Sequence, residues 1–373
     1  MKAKKKILIF AGATYVYGAE KVTLEVMGFL QKAGHKIHCI VNGWNDGVFI
    51  EHLNKAKIPF SSIKLGWYYF RKIKWSLDSL IHYPGAVWQF IRLAKKENPD
   101  VIYITSYRPV ILLYPFLRAN VIYHVHDPHT ETKQGRFFIK IADKKIKHYI
   151  AVSSFVKNDL IKCGINSDKI TVVHNGVGHK EQNYLYRERE FSGETLRIGI
   201  IGQIIPRKGH ETLVEALAQI KESIPFECLI FGSGDKEYIE NLKQLINTHN
   251  LQQKVKWMGV VKEKQDIYDA IDVLVAPTKN DEPFALVALE AGYFGIPSIV
   301  TQSGGFTESI IDSKTGFIVN KNAPAEIAGK LTMLWQSPSL VNEMGRNARE
   351  NITQNFSLDI MEEKITTFIN NFS

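Results

Sequence analysis

The sequence predicts an α/β protein in which two doubly wound, Rossmann-like parallel-sheet domains follow one another and face each other across a ligand-binding cleft. Three observations predict it. The chain has 373 residues, 45% of them hydrophobic, enough for two cores rather than one. Short β-prone apolar runs alternate with helical patterns along most of its length, as crossover-connected parallel strands require. The alternation is interrupted at Gly178–Glu194, a polar, aperiodic stretch that reads as a linker. The expected divisions are therefore residues 1–180, residues 181–355, and a C-terminal helix over 356–373 that crosses back to the first domain.

The first domain opens on the β-prone run Lys5–Phe10, followed by a loop holding Gly12 and Gly18. A helical pattern over Glu20–Lys32 comes next, with Val22, Leu24, Val26, Phe29 and Leu30 forming a broad apolar face. Gly34 ends that helix and Lys36–Val41 reads as the next strand. The unit then recurs: a helix up to Lys96 before strand Asp100–Ile104, a short helix before Asn120–Val125, a helix before His148–Val152, and a last strand, Ile170–Val173. In the second domain the strands are Leu196–Ile201, Phe226–Phe231, Lys254–Met258, Val273–Ala276 and Ser298–Val300. The helices between them are Glu211–Ile220, Lys236–Thr248, Ile267–Ala270 and Leu286–Tyr293, and helices dominate from there on.

Composition narrows the class. The apolar stretch Val110–Leu117 is closed by Arg108 and Arg118, far short of the ~20 residues that span a bilayer. The basic start followed by Ile7–Ala11 is too short for a signal peptide. Cys39, Cys163 and Cys228 are dispersed and lack metal-ligand spacing, which fits a reducing cytoplasm. The net charge of +9 hides an asymmetry: residues 1–180 hold 28 Lys and Arg against 12 Asp and Glu, a net +16, leaving −7 for the remainder. A basic half fits nucleic acid, anionic lipid, an anionic substrate or plain solubility. Nucleic acid has no recognised motif in its favour.

Four segments carry candidate chemistry. In Asp281–Ala291 a helix is expected to start just after Glu282, with Pro283 in its first turn. The amides of Phe284, Ala285 and Leu286 would then present an anion site. Glu290 lies eight residues beyond Glu282, about 12 Å if fully helical, wider than the ~5–9.5 Å of a glycosidase carboxyl pair. One carboxylate at each end of an elongated ligand, with an anion between them, fits better; ordinary surface acids are the competing reading. In Gly202–His210, Arg207 and Lys208 stand at a strand exit, a fork donor beside a point charge suited to a diphosphate. Gly18, in Tyr17–Lys21, lets backbone approach a phosphate, although a tight strand-to-helix turn needs a glycine in any case. In His124–His129, alternate residues share a strand face. A metal site is one reading; the preferred one directs His126 to the ligand and leaves the other histidines as scaffold.

These segments together resemble family 4 of the retaining glycosyltransferases, which have the two-domain GT-B fold. The resemblance covers nearly the whole chain. It rests on Gly18-Ala19-Glu20-Lys21, His126-Asp127, Ala151-Val152-Ser153, Asn175-Gly176-Val177, Gly202…Arg207-Lys208-Gly209, Gly232-Ser233-Gly234, the Glu282/Glu290 spacing, Gly304–Glu308 and Thr315-Gly316. It implies that Arg207 and Lys208 neutralise the donor diphosphate and the departing nucleotide. It also implies that Glu282 and His126 contact the donor sugar, that Glu290 holds the ribose hydroxyls, and that Gly18 and the amides of Phe284, Ala285 and Leu286 meet the phosphates. No metal cofactor is expected, since the Arg-Lys pair supplies the charge stabilisation. No protein nucleophile is nominated: the leaving phosphate would help deprotonate the acceptor in a front-face attack. Two departures stand out, Tyr17 where a second glycine is common and Ala285 where glycine is usual.

The expected activity is transfer of a hexose-type sugar from a UDP- or GDP-sugar to a lipid-linked glycan in cell-surface polysaccharide synthesis. The first domain would receive the acceptor. Trp67–Trp75 interleaves aromatics with bases, a composition suited to docking on an anionic membrane from the cytoplasmic side; packing within the protein is its plain alternative. Val87, Phe90, Ile91 and Ala94 read as a core-facing helix. Two other functions remain open, a sugar-nucleotide epimerase of the same architecture and a non-catalytic sugar-nucleotide or glycan-binding protein.

Overall fold

The computed structural model describes residues 4–11, 16–68, 72–178, 191–284 and 286–372. Tyr69, Phe70, Arg71, Ala285 and most of the expected linker lie outside the described residues. The chain divides into two compact units, Met1–His174 with Met361–Ser373, and Asn175–Ile360.

The first unit holds a parallel sheet of β1 (Lys6–Ala11), β2 (Lys36–Asn42), β3 (Phe60–Ile63), β4 (Val101–Ile104), β5 (Asn120–Val125), β6 (Ile146–Ala151) and β7 (Ile170–Val172), in the order β3-β2-β1-β4-β5-β6-β7. Helices α1 (Gly18–Lys32), α2 (Val48–Lys55), α3 (Ile73–Glu97), α4 (Arg108–Leu112), α5 (Lys133–Asp143) and α6 (Ser154–Lys162) connect the strands. Such a sheet, covered on both faces, requires continuous apolar strands, and in β1 Ile7–Ala11 are all buried. Helix ends follow local chemistry. The Glu20 carboxylate accepts from the Tyr17 amide at 3.0 Å, so α1 starts two residues before the expected Glu20. Thr132 and Ser153 cap α5 and α6 with their hydroxyls at 2.9 and 3.1 Å.

The second unit runs β8 (Leu196–Ile201), α7 (His210–Ile220), β9 (Phe226–Phe231), α8 (Lys236–Thr248), β10 (Val255–Gly259), α9 (Lys264–Asp269), β11 (Val273–Ala276), α10 (Leu286–Tyr293), β12 (Ser298–Thr301), α11 (Phe306–Ser309) and β13 (Gly316–Val319), then α12 (Pro324–Gln336) and α13 (Pro338–Asn355). Its parallel sheet is ordered β10-β9-β8-β11-β12-β13. At the amino-terminal edge the Arg197 side chain forks onto Asp272 at 2.5 and 3.0 Å, tying the start of β8 to the start of β11. The last helix, α14 (Leu358–Asn371), lies mostly in the first unit, its Ile365 and Ile369 fully buried.

Among the described elements, α2, the edge strand β3 and the edge strand β13 go beyond the sequence expectation. The last two are four residues long, and β3 is Phe-Ser-Ser-Ile, too short and polar for its period to register. Helix α9 starts at Lys264 rather than Ile267, because its first turn is polar.

Candidate functional site

In each sheet the chain winds one way from the first strand and the other way from its neighbour, which opens a crevice at the carboxyl ends of that pair. In the second sheet the pair is β8 and β11. The loop after β8 makes a 3₁₀ turn at Pro206–Lys208, and the loop after β11 runs from Pro277 to Phe284. They are fastened together: the Lys279 amide and the Thr278 hydroxyl donate to the Arg207 carbonyl at 2.8 and 2.9 Å. Gly209 permits the approach, since its φ is +71° and a Cβ there would lie 1.9 Å from the Pro277 carbonyl oxygen.

This fastening brings three expected residues together. Arg207 Nη1 and Lys208 Nζ each donate to Glu282 Oε1 at 2.8 Å, and the Thr278 hydroxyl lies 3.2 Å from the same oxygen. Glu282 is buried at 6% exposure, while the Arg207 side chain is 43% exposed. Two cations share one carboxylate, so the cluster keeps a net positive charge, with the guanidinium reaching solvent. The Glu282 backbone is fixed too: its amide donates to Ser303 Oγ at 3.0 Å and its carbonyl accepts from Gly305 at 2.7 Å.

That backbone docking corrects the expected helix start. Held against the β12–α11 loop, the chain cannot coil at Pro283, which therefore lies outside the first turn, and α10 begins at Leu286. The Leu286 amide turns back onto the Phe284 carbonyl at 3.2 Å instead of pointing outward. The Phe284 ring is buried 6.1 Å from that of Phe356. Glu290, on α10, is engaged separately: Tyr268 Oη donates to Oε2 at 2.9 Å and Lys264 Nζ lies 2.8 Å from Oε1. Burial above all, with Glu290 nearby, pushes the Tyr268 hydroxyl well above its ordinary range, so it stays a donor. Sequence reasoning missed Lys264 and Tyr268; the latter sits in an apolar run with Ile267 and Ile271 and reads as core.

In the first unit a cavity of about 480 Å³ opens at the carboxyl ends of β1, β4 and β5, lined among others by Ala19, Glu20, Trp67, Tyr107, His126 and His129. Gly18 is the first residue of α1, beside the lining positions Ala19 and Glu20. His126 follows β5 directly. Burial lowers its pKa to about 4, leaving it neutral at pH 7, and its Nε2 is buried without a hydrogen-bond partner. His124 shares its side of the strand, the two rings 4.3 Å apart, yet it lies beneath the cavity wall with Nδ1 against Tyr103 Oη at 2.7 Å. His129, expected to be scaffold, does line the cavity, its Nε2 3.1 Å from Tyr123 Oη and its pKa lowered by burial to about 4. Trp67, expected at a membrane, packs edge-on to Tyr107 and Phe138 at 6.1 and 5.1 Å between centroids. Among the described residues no group of three or more His, Cys, Asp or Glu is placed to hold a metal ion.

Comparison with known proteins fits this arrangement. Residues 16–181 match Glycosyltransferase Family 4, and residues 185–351 match Glycosyl transferases group 1. The chain belongs to the group 1 glycosyltransferases of family 4. This glycosyltransferase is 28% identical over 308 residues to the capsular polysaccharide biosynthesis glycosyltransferase CapM of Staphylococcus aureus, covering 76% of this chain and 80% of CapM. It is also 28% identical over 191 residues to a GDP-mannose-dependent phosphatidylinositol monomannoside mannosyltransferase of Mycobacterium tuberculosis, with 49% of each chain covered. The fold matches Anabaena HepE, solved in complex with UDP-glucose, at a TM-score of 0.82 and 20% identity, covering 99% of this chain and 100% of HepE. A glycosyltransferase from Rickettsia africae matches at 0.81 with 23% identity and 98% of each chain covered. These likenesses give the glycosyltransferase its GT-B architecture. Among the described residues no helix is long and apolar enough to cross a membrane.

Proposed function

We propose that this glycosyltransferase is a retaining enzyme that moves a hexose-type sugar from a UDP- or GDP-sugar to a lipid-linked glycan in cell-surface polysaccharide synthesis. The observation that carries the donor reading is the net-positive cluster of Arg207, Lys208 and Glu282 at the crevice of the second sheet. A departing nucleoside diphosphate develops charge on its terminal phosphate, and preset cations there stabilise it without reorganisation. In this reading Arg207 and Lys208 bind the diphosphate and take over the role a divalent metal plays elsewhere. Glu282 holds both bases in place and turns its carboxylate to the sugar hydroxyls. Glu290, steadied by Lys264 and Tyr268, accepts from the ribose hydroxyls. In this reading Phe284 and Gly18 contact the phosphates through their amides, and neutral His126 offers its spare nitrogen to the sugar. The bond from the anomeric carbon to the phosphate oxygen breaks while the acceptor oxygen bonds on the same face. The acceptor proton passes to the leaving phosphate.

The cavity of the first unit is the proposed acceptor pocket, in which the His129 imidazole and the Trp67 and Tyr107 rings suit sugar hydroxyls and sugar faces. CapM acts in capsular polysaccharide biosynthesis and the mycobacterial relative glycosylates a phosphatidylinositol mannoside, which favours a lipid-borne acceptor and a site of action on the inner face of the cell membrane. The test is a panel of UDP- and GDP-sugars offered with and without glycolipid acceptors, the product anomer read by NMR. Transfer with retained configuration is expected, and Arg207→Ala lowers it on the order of 10²–10³-fold with little change in thermal midpoint. Isomerisation of donor alone would mark an epimerase. Binding without turnover would mark a non-catalytic protein.

A further inference from the structure

Helix α3 has two apolar faces. One is the core face, where Ser79, Ala86, Phe90 and Leu93 are buried. On the opposite side Ile73, Leu77, Leu80, Ile81 and Trp88 are each more than half exposed. At ~100° per residue these five fall within one stripe about 100° wide, with Pro84 inside it. A stripe of this size on a soluble surface marks an interaction site rather than scattered exposure. Bases bracket it: Lys72 and Lys74 at the start, Arg92, Lys95 and Lys96 at the end. The Lys72 amine sits 4.1 Å from the Trp75 ring centroid and the Arg92 guanidinium 5.5 Å from that of Trp88. The acids on this helix face neighbours, Asp78 toward His82 at 3.2 Å and Glu97 toward Lys96 at 3.7 Å.

We propose that α3 is a membrane-docking helix that lies in the plane of an anionic bilayer, with this stripe sunk at the acyl boundary and its basic ends on lipid phosphates. An apolar face, Trp at the edge and flanking Lys and Arg are the makings of an interfacial helix. Charge decides the occupant. Two copies paired through the stripe, in either direction, set bases against bases, whereas an anionic surface neutralises them. The proposal deepens the lipid-linked acceptor reading and rests on it. It also relocates the docking surface from Trp67, which packs inside the first unit, to the solvent face of the helix that follows.

The test is co-sedimentation of the full chain with phosphatidylglycerol-containing vesicles and with pure phosphatidylcholine vesicles. Binding to the anionic vesicles is expected. Leu80→Glu/Ile81→Glu weakens it on the order of a hundredfold. Lys74→Ala, Lys95→Ala and Lys96→Ala weaken it about fivefold each at low salt and little at high salt. Circular dichroism melts verify folding, and turnover of soluble donor without vesicles stays at the unaltered rate in all variants. Equal binding to both vesicle types, no binding to either, or undiminished binding by Leu80→Glu/Ile81→Glu overturns the proposal, as does a vesicle-free dimer abolished by that variant. Transfer by the unaltered protein to soluble but not to lipid-linked acceptors, while vesicle binding persists, would sink the lipid-linked acceptor reading and leave the docking helix standing.

Discussion

At the carboxyl edge of the second sheet, charge is concentrated and fixed: Arg207 and Lys208 meet on one oxygen of Glu282, and Lys264 meets Glu290. At the same edge of the first sheet acids and a base (Glu20, Asp127, Glu131 and Arg108) line the cavity beside two neutral imidazoles, those of His126 and His129, whose pKa values burial lowers to about 4. The two edges share one strand order around β1 and β8, so topology does not make the difference. Burial and partner choice do. Cations with a shared counter-charge can receive an anion, while buried imidazoles held neutral can only trade hydrogen bonds. One strand order thus carries two edges of different chemistry.

The sharpest way to break that comparison is to remove the shared carboxylate. Glu282→Gln leaves Arg207 and Lys208 side by side without their counter-charge, and transfer is expected to fall on the order of 10²–10³-fold. Near-normal turnover would show that the charged edge is incidental. Acid should next separate the two units. Burial lowers the folded pKa values of His35, His38, His124, His126, His129 and His148, all in the first unit, and of His210 in the second. Because these values lie below 6.5, the unfolded chain takes up protons first. Their stabilisation is complete above pH 6.5 and is lost as pH falls toward 4, by up to about 3 kcal/mol for a group such as His126. Hydrogen exchange at pH 4.5 is expected to release β1, β4 and β5 before β8 and β11; equal protection would remove the contrast. The smallest effect belongs to Tyr268→Phe, which takes one hydrogen bond from Glu290. A several-fold rise in donor KM with kcat nearly unchanged is expected, and a fall in kcat at constant KM would reassign Glu290.

Several interior strands and helices were legible in the sequence residue for residue: β5, β8, β9, β11, the amphipathic α8 and α10 have the bounds their patterns predict. What escaped lies at edges or in tertiary contact. β3 and β13 are edge strands of four residues, and the exclusion of Pro283 from the first turn of α10 depends on Ser303 and Gly305 holding Glu282 from another loop. The charged site residues could be read because a basic pair between glycines and two spaced carboxylates are rare combinations. Lys264, Tyr268 and His129 could not, since each matters only through a neighbour remote in the chain: Glu290 for the first two, Asp159 accepting from the His129 amide at 2.6 Å for the third. The outer stripe of α3 was hidden by the inner one, which carries the helical period on its own.

Helix α14 ties the end of the chain into the first unit. Glu362 pairs with Lys32 at 3.1 Å, the Phe368 ring sits 4.9 Å from that of His148, and Ile365 and Ile369 are fully buried. The first unit is thus completed only by a helix that follows the second. During synthesis its surface beside α1 and β6 stays uncovered until every residue of the second unit has left the ribosome, and a nick or truncation before Met361 strips apolar cover from a unit whose own sheet was finished at Val172.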